Sequence, residues 1–109
     1  MDKRSLGKNG PNVTRLGFGS GPIGNDPNVT VETAVATIHK ALDLGVNYID
    51  TAPVYGAGRA EEIVGKALSG INREDYVIST KVGMLVTPGA PAKDLCPDGI
   101  VNGLSLIHI

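Results

Sequence analysis

One cysteine, Cys96, among 109 residues allows neither an intramolecular disulfide nor a cysteine-built zinc site. Charge of neither sign prevails: Lys and Arg number 10, Asp and Glu 11, and the net charge is −1. That balance excludes the basic footprint by which proteins hold nucleic acid or an anionic membrane surface. Long apolar runs are missing too. No stretch approaches the roughly 20 apolar residues that cross a bilayer. The charged start Met1-Asp2-Lys3-Arg4 is followed by no apolar run, so no signal peptide is expected. A reducing, cytoplasmic location fits these absences. The partners expected are small molecules, without metal, nucleic acid or membrane.

What is present is the composition of a folded domain: 41% of residues are hydrophobic and 19% charged, enough for one small core. Lys3–Leu6 and Val13–Arg15 read as strands of a β-hairpin, with Asn9-Gly10 as the turn signal between them. Leu16–Gly19 reads as a first core strand and Gly21–Asn28 as a loop with two prolines. Thr30 is placed to cap a helix, and Val31, Val35, Ile38 and Leu42 fall on one face of it, with Gly45 as its stop. Val46–Asp50 predicts strand two. Ile63, Val64, Ala67 and Leu68 predict a second amphipathic helix closed by Gly70. Tyr76–Thr80 predicts strand three, covered on both faces as in a parallel sheet. Strands alternating with helices predict an α/β architecture with a parallel sheet. From Met84 to Gly103 the residues Pro88, Gly89, Pro91, Pro97 and Gly99 mark a long irregular loop, a type often functional.

Three polar residues stand at strand ends. Asp50 closes strand two, Tyr55 follows it by five positions, and Lys81 closes strand three. The C-terminal ends of parallel strands share one edge, so Asp50 and Lys81 can meet with Tyr55 folded over them. A phenol of pKa near 10 is a poor proton donor or acceptor at neutral pH. A neighbouring ammonium favours its ionised form, and a carboxylate can hold that ammonium in aim. Tyr55 could then exchange a proton with a carbonyl or alcohol oxygen. The same residue types also fit a plain ion pair with Tyr55 in a packing role.

The segment Asn47-Tyr48-Ile49-Asp50-Thr51-Ala52-Pro53-Val54-Tyr55-Gly56 resembles the strand-two signature of the aldo-keto reductases. Ser79-Thr80-Lys81-Val82-Gly83, Leu16-Gly17-Phe18-Gly19, Ala41-Leu42-Asp43-Leu44-Gly45 and Val64-Gly65-Lys66-Ala67-Leu68 match the same family in order and spacing. The resemblance covers about Arg4 to Gly83. It implies the N-terminal portion of a (β/α)8 TIM barrel, truncated after about the third strand, with the active site at the C-terminal rim and the leading β-hairpin at the opposite end. It implies an NAD(P)-dependent oxidoreductase moving hydride between nicotinamide and a carbonyl, alcohol or aldose. Of the family's Asp, Tyr, Lys and His tetrad, Asp50, Tyr55 and Lys81 take three places, and the histidine belongs to a fourth strand beyond them. Gly19, Ser20, Gly21 and Asp50 fall at positions implied to contact NADP or NAD. The stretch after Gly83 resembles the branch containing aldose 1-dehydrogenases. One departure is Ala60, where relatives commonly have serine opening the second helix; a small stability effect is expected.

Two further readings use the same residues. Lys81 could be the nucleophile of a Schiff-base aldolase on this type of barrel, or the chain could be part of a non-catalytic aldo-keto reductase-like binding subunit. Gly19-Ser20-Gly21-Pro22-Ile23-Gly24 matches the dinucleotide fingerprint G-x-G-x-x-G, but no phosphate-holding helix is expected to open there. His39 falls off the apolar stripe and is expected at the solvated surface, and the charged residues from Arg59 to Glu62 read as an ordinary helix start. The final Leu104-Ser105-Leu106-Ile107-His108-Ile109 resembles a translated transposase-end adapter from DNA library preparation. We read 1–103 as barrel and 104–109 as a non-native tail, so His108 is not recruited for chemistry; a genuine β-prone strand is the competing reading. Expressed as written, the polypeptide is expected to be inactive, with an open sheet edge.

Overall fold

Two short strands open the chain. β1 (Lys3–Ser5) and β2 (Asn12–Thr14) pair antiparallel with Arg4 opposite Val13. The connection is wider than a two-residue Asn-Gly turn. The Leu6 amide donates to the Pro11 carbonyl at 3.0 Å and the Ser5 hydroxyl donates to the Gly7 carbonyl at 2.8 Å. The left-handed backbone falls at Gly7, φ 71°, where the absent Cβ removes the steric penalty. The computed structural model describes residues 1–82. The expected Met84–Gly103 loop, Cys96 and the tail 104–109 lie outside the described residues.

A parallel sheet follows in the order β3 (Phe18–Gly19), β4 (Tyr48–Asp50), β5 (Val77–Ser79). Its register sets Gly19 beside Asp50 and Asp50 beside Ser79. Between the strands run α1 (Gly21–Asn25), α2 (Val31–Asp43) and α3 (Arg59–Leu68), with a 3-10 turn over Arg73–Asp75 before β5. This is the expected alternation of strand and helix with parallel pairing.

α2 forms where its apolar spacing and cap require. The Thr30 hydroxyl accepts from the Thr33 amide at 3.2 Å, and Gly45, φ 96°, turns the chain after the last helical residues. Ala34 and Ile38 are fully buried, flanked by Val31, Val35 and Leu42. They meet Ile63, Val64, Ala67 and Leu68 of α3 and Ile49 of β4, which points from the sheet into the helical layer. Removing most of one such side chain, as in Ile49→Ala, costs about 2–5 kcal/mol.

Three elements differ from expectation. α1 occupies part of the predicted loop, because Pro22 in its first turn forfeits no helical hydrogen bond and carries a preset φ. The first core strand shrinks to Phe18–Gly19, with Leu16 left 62% exposed. β5 is half-buried along its length, since among the described residues it is paired on one side alone, by β4.

The hairpin is fastened to the N-terminal end of β4. The Thr14 amide donates to Asn47 Oδ1 at 2.7 Å, the Asn47 amide to Thr14 Oγ1 at 3.1 Å, and Asn47 Nδ2 to the Asn12 carbonyl at 3.0 Å. It therefore lies at the end of the sheet opposite Asp50.

Candidate active site

Side chains alternate across a strand. Ile49 goes to the helical layer, so Tyr48 and Asp50 share the other face of β4. Asp50 ends the strand. Its neighbour in register, Ser79, donates its hydroxyl to Asp50 Oδ1 at 2.6 Å. Two residues past β5, Lys81 Nζ donates to Asp50 Oδ2 at 2.8 Å and to the Thr51 carbonyl at 3.0 Å. The same Nζ stands 5.2 Å from the centroid of the Tyr55 ring, within cation–π range.

The electrostatics follow from these contacts. Partial burial alone would raise the Asp50 carboxyl, but the hydrogen bonds from Lys81 and Ser79 and the Lys81 charge outweigh it and hold it below the ordinary carboxylate value. For Lys81 burial pulls downward, yet the bond and charge of Asp50, with a smaller push from Tyr55, hold it above the ordinary lysine value. Both groups are charged at neutral pH. Their side chains are 42% and 39% exposed, so the pair faces open ground at the rim.

Tyr55 is carried by the β4–α3 loop, which is fixed to the segment before α2. The Gly56 amide donates to Asn25 Oδ1 at 2.7 Å. Arg59 donates to the carbonyls of Ile23 at 2.8 Å and Asp26 at 3.1 Å, and also to that of Val29. A Cβ on Gly24 would stand 2.6 Å from the Ala60 Cβ and 3.0 Å from the Tyr55 carbonyl oxygen. Gly24 thus serves close packing of α1 on α3, and the G-x-G-x-x-G match has that structural use.

The residues read as cofactor contacts divide by face. Gly19 is exposed and open where a Cβ would be, on the face of Asp50 by register. Gly21 lies against Tyr55, with 3.8 Å from its notional Cβ to the ring. Ser20 is fully buried and its hydroxyl has no partner among the described residues. Its amide extends the ladder by donating to the Asp50 carbonyl at 2.9 Å.

The family model described as Aldo/keto reductase family matches residues 15–104. The chain belongs to the aldo/keto reductase family. It is 41% identical over 117 residues to pyridoxal 4-dehydrogenase of Microbacterium luteolum, a match covering 99% of this chain and 34% of that protein. Its structure is similar to the holo form of an aldo-keto reductase from Bacillus halodurans, with TM-score 0.83 and 36% identity over 96% of this chain and 34% of that one. An aldo/keto reductase from Klebsiella pneumoniae in complex with NADP and acetate is similar at TM-score 0.59 and 35% identity, over 65% of this chain and 24% of that one. The chain spans about a third of the length of the first two proteins. Its sheet and helices are the N-terminal part of the aldo-keto reductase TIM barrel.

Several residues of this aldo-keto reductase segment carry structure that the sequence reading passed over. Ser79 and Tyr48 both bond near Asp50; their spacing of two from Lys81 and Asp50 was the available signal. Thr80, on the opposite face, donates to Glu61 of α3 at 2.6 Å. His39 is not merely solvated: its Nε2 donates to the Ala67 carbonyl at 2.7 Å, satisfying an acceptor in the last turn of α3. Position 60 lies inside α3, whose cap is Gly58 at φ 96°, and Ala60 is fully buried. Its departure from serine is therefore a packing matter.

Proposed function

We propose that the complete protein is an NAD(P)-dependent oxidoreductase that moves hydride between nicotinamide and a small carbonyl, alcohol or aldose, with Tyr55 as proton donor and acceptor. The observation that carries this reading is the Lys81 ammonium, anchored by Asp50, standing over the Tyr55 ring at an open rim.

The residues present suit a nicotinamide. Gly19, beside Asp50, leaves free the space a side chain would fill, and Gly21 keeps close ground beside Tyr55 clear. Gly19, Gly21 and Asp50 would hold the nicotinamide end, which supplies or accepts the hydride when bound. Backbone is the part of Ser20 suited to contact, since its hydroxyl is enclosed. The chain's own groups handle the proton. Tyr55 gives its phenolic proton to the substrate oxygen as the carbonyl carbon is reduced, and takes it back in the reverse direction. The Lys81 charge stabilises the negative charge that develops on the phenol oxygen. Asp50 keeps Lys81 charged and aimed.

The same ion pair disfavours the aldolase reading. A Schiff-base lysine needs a neutral amine, commonly obtained by lowering its pKa. Asp50 pushes Lys81 the other way. No helix among the described residues is long and apolar enough to cross a membrane.

The test is NADPH or NADH oxidation by the full-length enzyme against a panel of aldehydes, ketones and sugars, with the reverse reaction on alcohols and aldoses. Carbonyl-dependent oxidation of either cofactor supports the proposal. Borohydride trapping of a carbonyl substrate on Lys81, with no cofactor turnover, supports the aldolase instead.

A further inference from the structure

The face of β4 that carries Asp50 also carries Tyr48. The Tyr48 hydroxyl lies 3.1 Å from Ser79 Oγ, which lies 2.6 Å from Asp50 Oδ1. Counting protons fixes the direction of this chain. An ionised carboxylate only accepts, and Lys81 keeps Asp50 ionised at neutral pH. Ser79 has one hydroxyl hydrogen, and it points at Asp50. Tyr48 must then be the donor to Ser79. Asp50 is gripped on both oxygens, by Ser79 on Oδ1 and Lys81 on Oδ2.

Tyr48 is itself held from behind. A Cβ on Gly17 would stand 2.9 Å from Cδ1 of its ring, so the ring rests on bare backbone. This is a second observation, independent of the hydrogen bonds, that the phenol is fixed in place.

We infer that Tyr48 and Ser79 are positioning residues that fix the carboxylate of Asp50, and through it the Lys81 ammonium over Tyr55. The inference rests on the oxidoreductase reading above and deepens it. Without the Ser79 hydroxyl, Asp50 Oδ1 loses its donor among the described residues and the carboxylate can rotate about its last torsion. Lys81, left with the Thr51 carbonyl as its fixed acceptor, is then aimed less closely at Tyr55. Tyr48 acts one step further back, by orienting the Ser79 hydroxyl.

The test uses steady-state kinetics of the full-length enzyme with NADPH and an aldehyde it accepts. Ser79→Ala lowers kcat about tenfold, the scale of one hydrogen bond to a charged group, while KM and NADPH affinity stay within about twofold. Ser79→Thr, which keeps the hydroxyl, recovers most of the rate. Tyr48→Phe lowers kcat less, and Gly17→Ala, which displaces the ring, reproduces Tyr48→Phe. The double variant Tyr48→Phe/Ser79→Ala is no slower than Ser79→Ala, because Tyr48 works through that hydroxyl. A double variant showing the product of the two single losses, or Ser79→Ala with unchanged kcat, overturns the inference. Carbon-13 NMR of the Asp50 carboxyl separates this from failure of the oxidoreductase reading. Among the described residues, Lys81, and Tyr48 through Ser79, are the titratable groups joined to that carboxyl, with Tyr55 beside Lys81. An upward shift of its titration in Ser79→Ala, even in a protein without reductase activity, keeps the hydrogen-bond chain and removes only the reaction it serves. An unchanged titration overturns the chain itself.

Discussion

Lys81 Nζ lies 2.8 Å from Asp50 Oδ2, across 31 positions of sequence, and the contact ties the ends of two adjacent parallel strands. Its effect on stability has a defined pH window. Asp50 is lowered, so its contribution is full above the ordinary carboxylate value and is lost as pH falls through the folded value. Lys81 is raised, so its contribution is full below the ordinary lysine value and is lost as pH rises through the folded one. With side chains 42% and 39% exposed, solvent screening limits the pair to about 1 kcal/mol or less. Urea unfolding of the full-length protein and Lys81→Met should differ by that amount near neutrality. The difference should shrink below about pH 4 and above about pH 10. A difference that is flat with pH contradicts the assignment.

Arg59 reaches three carbonyls, of Ile23, Asp26 and Val29, with no carboxylate partner among the described residues. Arg59→Ala should destabilise the protein by about 1–3 kcal/mol by leaving acceptors without donors. Arg59→Lys should recover little, because one ammonium does not reproduce the planar fork. Chemical denaturation measures both; full recovery by lysine would show that charge alone matters there.

Gly24→Ala forces a methyl into contact with Ala60 and the Tyr55 carbonyl. Overpacking of this kind costs about 1–3 kcal/mol. The displacement also falls on the loop that carries Tyr55, so activity should fall more than stability alone explains. Kinetics well below the melting temperature checks this; an unaffected kcat means the loop tolerates the shift.

The 109-residue polypeptide on its own should be inactive and prone to associate. β5 is half-buried, Leu16 and Leu44 are 62% and 63% exposed, and a groove of about 550 Å³ opens beside α2, lined in part by Phe18, Ala41 and Leu44. Such edges and apolar patches are aggregation sites. Size-exclusion chromatography and thermal melts should show aggregates without a cooperative transition. A soluble monomer with reductase activity contradicts this.

The parallel alternation was legible because α2 and α3 kept their apolar period and β4 and β5 their short β-prone runs. Thr30, Gly45 and Gly70 marked helix ends that hold in three dimensions. α1 was missed because five residues offer too little periodicity against one proline and two glycines. The Asp50–Lys81 pairing was legible because strand ends in a parallel sheet share an edge. Arg59 was not, since its acceptors are backbone carbonyls whose positions depend on the folded loop. His39 likewise meets a carbonyl of a helix 28 positions away. Residue type alone carries no trace of such partners.

The most direct measurement of the central claim is the rate of hydride transfer in full-length Tyr55→Phe, with NADPH affinity measured alongside. Loss of the phenolic proton should lower the chemical step by at least about 10²-fold, the scale of general acid–base catalysis, while NADPH still binds. Tyr55→Phe that transfers hydride at the parent rate would contradict the account.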